Sequence, residues 1–249
     1  MDIRHNWSFD EVYSLLTGPL EPLLDRAKTL HVLYAAPDVQ QCQLLSIKTG
    51  ACPEDCGYCS QSAHFKTSLR PEALMDVASV VETAKQAREN GASRFCMGAA
   101  WRQAPSDKRF EAVLEMIRGV ADTGMEVCCT LGMATEAQLR QMKEAGLTAY
   151  NHNLDTSREH YEKVISTRTY DDRLQTLSAA RRAGVQVCCG GILGLGETHR
   201  DRAAFLTELA TMDPHPESVP VNLLVAVEGT PLENAPQVPF EDFLRAVAT

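Results

Sequence analysis

Three cysteines fall within one short run, Cys52-Pro53-Glu54-Asp55-Cys56-Gly57-Tyr58-Cys59, with C-x₃-C-x₂-C spacing. Three thiolates this close can each take one corner of an iron–sulfur cubane. A four-iron cluster ordinarily uses four cysteine ligands, so three leave one iron open to chelation by a small molecule. A structural zinc asks for four protein ligands, usually as two close pairs. His64 is the nearby residue that could complete such a set, so zinc stands as the alternative.

Six further cysteines bring the total to nine: Cys42, Cys96, Cys128, Cys129, Cys188 and Cys189. The N-terminal run Met1-Asp2-Ile3-Arg4-His5-Asn6-Trp7 has no apolar stretch and is not a signal peptide. An odd cysteine count without such a signal argues against a disulfide framework. In a reducing compartment clustered cysteines bind metal or do chemistry, while isolated ones are usually small core hydrophobes.

What must position these residues is a repeating unit: amphipathic helix, glycine stop, short strand, then a polar or sulfur residue. One helix is expected from near Pro71, with Leu74, Val77, Val81 and Ala84 on a face, ending at Asn90-Gly91. The strand Arg94–Met97 follows. The next helix carries Phe110, Val113, Leu114 and Ile117, stops at Gly124, and leads to the strand Met125–Cys129. A third opens on the capping pair Thr135/Gln138, stops at Gly146, and leads to Leu147–Asn153. A helix with Leu174, Leu177 and Ala180 stops at Gly184 before Val185–Cys189. Strands at Leu44–Ile47 and Val219–Val225 flank the series, the latter after a helix around Phe205, Leu206 and Leu209.

Alternating strands and helices mean βα units and a parallel sheet. With no dinucleotide glycine fingerprint, the pattern favours an α/β TIM-type (β/α) barrel over a doubly wound sheet. The C-terminal strand ends of such a barrel open on one mouth, where chemistry sits. The cysteine loop leaves the first strand there, and Cys96, Cys128, Asn153 and Cys188 are expected late in their strands. Residues far apart in sequence then converge.

The first 43 residues read as a helical lead-in, with Ser8/Glu11 as a capping pair, a stop at Gly18-Pro19, and a second helix from Leu20 toward Tyr34. Residues 44–249 form the barrel domain. About six strands are present, too few to close an eight-stranded barrel. The last helix, from Pro239 with Phe240, Phe243, Leu244 and Val247 on one face, runs to Thr249 without a stop. A C-terminally truncated chain is therefore expected. Composition is ordinary for a globular protein, with 44% hydrophobic and 23% charged residues. Net charge is −9 and pI about 5.3, which disfavours nucleic acid as a partner. No apolar run approaches a membrane span, and a cytoplasmic setting is expected.

The cysteine loop resembles the motif of the radical S-adenosylmethionine superfamily, and the chain around it closely resembles the biotin synthase family. The matching runs are Ser46–Cys56, Arg94–Trp101, Tyr150–Ser157, Gly190–Thr198 and Glu217–Asn222. The resemblance covers nearly the whole chain. It implies insertion of one sulfur between two unactivated carbons of dethiobiotin, giving biotin. Aliphatic C–H bonds are too strong for acid–base chemistry. A radical generated from S-adenosylmethionine by a reduced 4Fe–4S cluster would abstract hydrogen twice, while the protein positions reactants and excludes water.

By family position, Cys52, Cys56 and Cys59 are implied ligands of the 4Fe–4S cluster. Cys96, Cys128 and Cys188 are implied ligands of a 2Fe–2S cluster that donates the sulfur. Strand neighbours point to opposite faces, so one of each pair Cys128/Cys129 and Cys188/Cys189 faces the barrel interior. Alternation does not choose; the resemblance selects Cys128 and Cys188. It also implies that Asn153 and Asp155 contact S-adenosylmethionine, with Asn153 reaching the substrate ring as well. Tyr58 would lie beside the adenine, Gly98 and Ala99 against the methionyl group, and Ile192 along the adenine. Asn222 would meet dethiobiotin. Asp155 could instead be a turn or cap residue, and the Gly-rich run around Ile192 a plain turn. His5, His31, His160, His199 and His215 are expected at the surface, with His152 facing away from its functional neighbours.

The family's arginine ligand to the 2Fe–2S cluster lies beyond the last matching segment; Arg245, on a helix, is not its equivalent. The resemblance further implies a flavodoxin-type reductant and a homodimer. Two competing readings are a radical S-adenosylmethionine enzyme with another substrate, and a catalytically incompetent iron–sulfur or zinc-binding fragment.

Overall fold

The computed structural model describes residues 3–35 and 38–249; Met1 and Asp2 of the N-terminal run lie outside them. Two helices lead in, α1 (Phe9–Thr17) and α2 (Leu20–Tyr34). Ser8 and Glu11 close a reciprocal capping box on α1. The strands then alternate with helices: β1 (Cys42–Lys48), α3 (Val77–Glu89), β2 (Arg94–Ala99), α4 (Lys108–Ala121), β3 (Glu126–Thr130), α5 (Glu136–Glu144) and β4 (Ala149–Asn151). After them come α6 (Arg158–Tyr161), α7 (Tyr170–Arg182), β5 (Gln186–Cys188), β6 (Gly191–Leu193), α8 (His199–Thr211), β7 (Val221–Leu223) and α9 (Phe240–Ala248).

Strands β1 to β5 form a parallel sheet in chain order, and β6 pairs in parallel with β7. The two ladders are one curved surface, because bridges Cys188↔Ser218 and Asp155↔Gly191 join them. β5 and β6 therefore occupy one barrel position, interrupted at Cys189-Gly190. The result is a partial (β/α) barrel of six strand positions. Its outer strands leave Leu44, Leu223 and Val225 exposed.

The main core lies between sheet and helices. Phe95, Met97, Val127, Cys129 and Tyr150 point outward from the strands onto Val80, Val113, Ile117, Leu139 and Leu177. A smaller cluster of Val12, Leu16, Leu193, Ala203 and Ala246 joins α1, α8 and α9.

Four local expectations need correction. α3 begins at Val77 rather than near Pro71. Glu72 and Met75 donate backbone hydrogen bonds to Thr49 and Ile47, which keeps that stretch extended. Asp76 then caps the helix by accepting from Ser79 N. The buried face is Val80, Ala84 and Ala87. β4 is three residues long, because its continuation reaches Asp155 at φ 68°, outside strand geometry. Within the Gly-rich run, Gly191–Leu193 is strand rather than turn, and Gly190 lies in the break before it. A Cβ on Gly191 would stand 2.6 Å from Asp155 O, so only glycine lets the two backbones meet there. Last, α9 buries Ala246 and half-buries Phe243, leaving Phe240 and Val247 exposed. Its rotation is set by Arg245, which donates to Gly18 O, and by Asp242, which accepts from Arg202 at 2.7 Å.

Candidate functional site

β1 delivers the chain to the mouth at Lys48, whose ammonium donates to Gly50 O and to Ala100 O at 3.0 Å, tying two strand ends together. The chain turns through Gly50 and Ala51, both at positive φ. Cys52 N donates to Gln61 O and Ala63 N to Cys52 O, closing the loop's stem. Cys59 N donates to Cys56 O across a tight turn. All three thiols thus sit on one short, braced loop.

The loop is clamped to the segment before α7. Gly57 N donates to Val164 O, and Asp55 accepts from the backbone N–H of Ser166 and Thr167 and from both hydroxyls. Partial burial acts to raise the Asp55 carboxyl, but these four donors outweigh it and hold it near 2.

Cys56 is buried, and Cys52 and Cys59 are half-buried. Burial pushes the Cys56 thiol up to about 12 and raises Cys59 as well. Without a metal these groups keep their protons; iron replaces the protons outright. Next to them lies Arg168, its side chain 8% exposed, with Nη2 3.9 Å from Cys56 Sγ and Nε 3.8 Å from Glu54. Arg168 Nε and Nη1 have no hydrogen-bond partner among the described residues. An anionic sulfur cluster on this loop would give that cation a second counter-charge beside Glu54 and acceptors for its unpartnered N–H groups, so the residues present fit the group. No three His, Cys, Asp or Glu side chains among the described residues converge on one ion-sized point. A cubane asks for less convergence, since each thiolate takes its own iron.

The second set of thiols lies on the inner face of the sheet. Cys96 and Cys128 are register partners on β2 and β3. Cys129 and Cys189 belong to the main core against the helices, so Cys128 and Cys188 are the members that face inward. Asn151 is the register partner of Cys188 and donates to its Sγ at 3.2 Å. A hydrogen bond with Cys128, then burial, raises the Cys96 thiol strongly. Cys96 and Cys128 are not late in their strands, however. β2 runs on to Ala99 and β3 to Thr130. Gly98 and Thr130 therefore stand one pleat repeat nearer the mouth, about 6.6 Å along the strand. The thiol row is a layer below the loop, not beside it.

Of the remaining residues the structure joins Tyr58 and Asp155 directly and leaves Asn222 apart on the edge strand. Tyr58 donates from its hydroxyl to Asp155 Oδ2 at 3.0 Å, and Arg173 Nη2 donates to the same oxygen. Arg173 Nε donates to Tyr161 Oη at 2.9 Å. Burial works against the guanidinium's charge, but Asp155 and then Tyr161 hold it above its ordinary range. Burial, and after it the Asp155 charge, raises the Tyr58 phenol. Asn153 and Asp155 do not share a strand face: β4 ends at Asn151, and Asn153 turns its Oδ1 to accept from Gly190 N at 3.1 Å. Asp155 N donates to Gly190 O, and Ile192 N to Asp155 O. Ile192 and Asn222 are register partners on β6 and β7, with Asn222 exposed at the open edge. Gly98 and Ala99 close β2 opposite Ser46 and Lys48. A Cβ on Gly98 would find its nearest neighbours at 4.0 Å, so the space before it is open.

Sequence reasoning missed Arg173, Arg168, Asn151 and Cys42. Arg173 carried a signal: it follows Tyr170 by three and precedes Leu177 by four, on the buried stripe of α7. Cys42 carried one too, sharing an alternation face with Leu44 and Ser46. His160 is not at the surface. It is buried on α6, where its Nε2 pairs with Leu195 O at 3.0 Å. His5 and His215 are half-buried and stack on each other. His152 lies on the core side with Tyr150, and burial lowers it well below the ordinary range. His64 is exposed and pairs with Pro53 O.

Residues 46–209 match the Radical SAM superfamily. The chain is 55% identical over 249 residues to a biotin synthase from Cytophaga hutchinsonii, covering 100% of this chain and 74% of that protein. It is 57% identical over 250 residues to a biotin synthase from Methylorubrum populi, covering 100% and 73%. Among solved structures it superposes on methylornithine synthase with a TM-score of 0.79 at 20% identity, over 96% of this chain and 73% of that one. That last likeness speaks to the fold.

Proposed function

The chain belongs to the biotin synthase family of the radical SAM superfamily, and on that premise we propose how its residues divide the conversion of dethiobiotin to biotin. The enzyme is a sulfurtransferase that uses S-adenosylmethionine, a 4Fe–4S cluster and a 2Fe–2S cluster. When bound, these groups supply the electron, the hydrogen-abstracting radical and the sulfur atom. The chain holds them, orients the substrate and keeps water out.

Cys52, Cys56 and Cys59 hold the 4Fe–4S cluster at the mouth, with Arg168 balancing its charge. Cys96, Cys128 and Cys188 hold the 2Fe–2S cluster one layer deeper. Tyr58, Gly98, Ala99, Asn153, Asp155 and Ile192 take S-adenosylmethionine. The Tyr58 and Arg173 contacts fall on Asp155 Oδ2, so Oδ1 is the atom we assign to the ribose diol. Asn153 and Asn222 receive the ureido ring, whose donors and acceptors an amide can match. Asn153 and Asn222 would thereby hold dethiobiotin, while the bound groups would supply the radical and the sulfur.

The observation that supports this division best is the layering: a braced thiol loop at the mouth over inward-facing thiols in mid-strand. The two helices α1 and α2 serve as a lead-in, and the barrel domain begins with β1 at Cys42, two residues before the boundary expected from the sequence. Among the described residues no helix is long and apolar enough to cross a membrane. Unpaired thiols and two oxygen-sensitive clusters suit a reducing, cytoplasmic compartment. A flavodoxin-type reductant and a homodimer rest on the family alone.

The test is anaerobic reconstitution, reduction and incubation with S-adenosylmethionine and dethiobiotin. Biotin should form, and Cys52→Ala should abolish S-adenosylmethionine cleavage. Cleavage without biotin would favour a different substrate. Zinc bound in place of iron would overturn the reading.

A further inference from the structure

Arg168 stands between the segment that clamps the cysteine loop and the loop itself, with its side chain 8% exposed. Its backbone has little freedom. On one side Thr167 N donates to Asp55 Oδ1 at 3.1 Å, and on the other Thr169 caps α7. The side chain therefore starts from a fixed point. Its Nη2 lies 3.9 Å from Cys56 Sγ. Its Nε and Nη1 are buried and have no hydrogen-bond partner among the described residues. A guanidinium carries five N–H donors and keeps its charge inside a protein. Three of them, one on Nε and two on Nη1, are thus buried without an acceptor.

The carboxylates around the loop are engaged by other groups. Glu54 is 3.8 Å from Arg168 Nε, beyond hydrogen-bond reach. Its Oε2 accepts from the Thr167 hydroxyl, and its Oε1 is 3.5 Å from Arg102 Nη1. Asp55 is taken up by the backbone and hydroxyls of Ser166 and Thr167. Asp155 is taken up by Arg173 and Tyr58. Buried charged donors are rarely left without acceptors. What lies beside this one is the most buried thiol of the loop, which becomes a thiolate when it holds iron.

We propose that Arg168 raises the reduction potential of the four-iron site, its guanidinium donating N–H groups to Cys56 Sγ and to the sulfurs beside it. The inference rests on the assignment of Cys52, Cys56 and Cys59 to the 4Fe–4S cluster, and it adds a direction to charge balance: reduction becomes easier. The step is the gain of one electron from a low-potential one-electron donor. No bond breaks and no proton moves, because the guanidinium stays protonated. The site gains one negative charge, and a fixed cation with N–H donors stabilises that state more than the starting one. The clamp holds Arg168 in place before the electron arrives, so no reorganisation is needed then. Arg102 contributes less: it is 40% exposed, screened by water, and committed to Glu54 and Thr167 O.

The test uses the full chain reconstituted anaerobically, as wild type, Arg168→Met, Arg168→Gln, Arg168→Lys and Cys52→Ala. Dithionite titration against redox mediators, read by electron paramagnetic resonance, gives the midpoint of the four-iron component without substrate or turnover. Arg168→Met should lower the ratio of reduced to oxidised sites at a fixed potential about tenfold, a shift of about 59 mV to more negative values for one electron. Arg168→Gln should shift the same way. Arg168→Lys, which keeps the charge but not the fork, should fall between Arg168→Met and wild type. The apo-protein Tm should not fall in Arg168→Met, because the unpartnered donors lose nothing there. A midpoint equal to wild type in the charge-removing variants overturns the role of Arg168, while loss of the four-iron signal in Cys52→Ala leaves the loop assignment standing. If both charge-removing variants fail to retain iron, the shift is read in Arg168→Lys, where a midpoint equal to wild type overturns the proposal. A four-iron signal that survives in Cys52→Ala removes the loop assignment and the proposal with it. An apo Tm that falls while the midpoint stays makes Arg168 a brace of the clamp instead.

Discussion

Arg173 should be among the most costly surface-distant residues to replace. Its side chain is 6% exposed and that of Asp155 is 3% exposed, so the ion pair between them is buried. Asp155 also accepts from Tyr58 on the cysteine loop, and Arg173 donates to Tyr161 at the end of α6. One pair thus ties the loop, the end of β4 and α7 together. Arg173→Leu keeps much of the volume but strands a carboxylate with one phenol as its partner. Breaking a buried pair by removing one member costs about 3–5 kcal/mol. For a domain of this size each kcal/mol lowers Tm by about 2–4 °C, so the fall should be roughly 6–20 °C. Asp155→Asn removes the charge from the other side, and the double variant should be milder than the sum by about 1–3 kcal/mol. Urea denaturation of the four apo-proteins measures the cycle. Hydrogen exchange at Cys56–Cys59 should quicken in Arg173→Leu, because Tyr58 loses a fixed acceptor. A cost under about 1 kcal/mol, with no coupling, would refute the claim that this pair braces the loop.

Three more outcomes are expected. Asp55, held near 2 against its ordinary 3.8, contributes stability that is full above about pH 4 and is lost as pH falls toward 2. The shift discounted for solvent contact is worth about 1 kcal/mol, and acid titration of Asp55→Asn should lack that loss. Cys129→Ala, at a fully buried core position, should cost about 1–2 kcal/mol in denaturation while leaving iron content intact. Its neighbour Cys128→Ala should lose the two-iron component. Gly132, just past β3, has φ 78°, and a Cβ there would stand 2.4 Å from the carbonyls of Trp101 and Arg102. Gly132→Ala should therefore destabilise by about 2 kcal/mol or more, measured by urea melting.

The helices were legible where local chemistry marks them. Ser8/Glu11 and Thr135/Gln138 form the boxes their spacing announces, and Gly91, Gly124, Gly146 and Gly184 follow helix ends at positive φ. The strand positions were legible because βα alternation repeats. What the sequence hid was set by contacts distant along the chain. Pairing of residues 72–75 with the end of β1 delays α3. The three-residue β6 is too short for period-two alternation to register. Within the site, alternation established that one of Cys128 and Cys129 faces inward, but only packing of Cys129 into the helix layer decides which. The depth of Cys96 and Cys128 was misjudged because β2 and β3 run on past them. The Asp155–Arg173 pair joins the end of one strand to a later helix, and the Cys42–Cys96 contact crosses two strands. Local periodicity marks Arg173 and Cys42 as inward-facing but does not say which distant residues they meet.

Two depths of thiols should hold two different clusters. Iron and sulfide per chain, measured on anaerobically reconstituted wild type and Cys96→Ala, test it in one comparison. Cys96→Ala should lose about a third of the iron and the spectrum of a two-iron cluster, while keeping the four-iron component. Unchanged iron and sulfide in Cys96→Ala would contradict it.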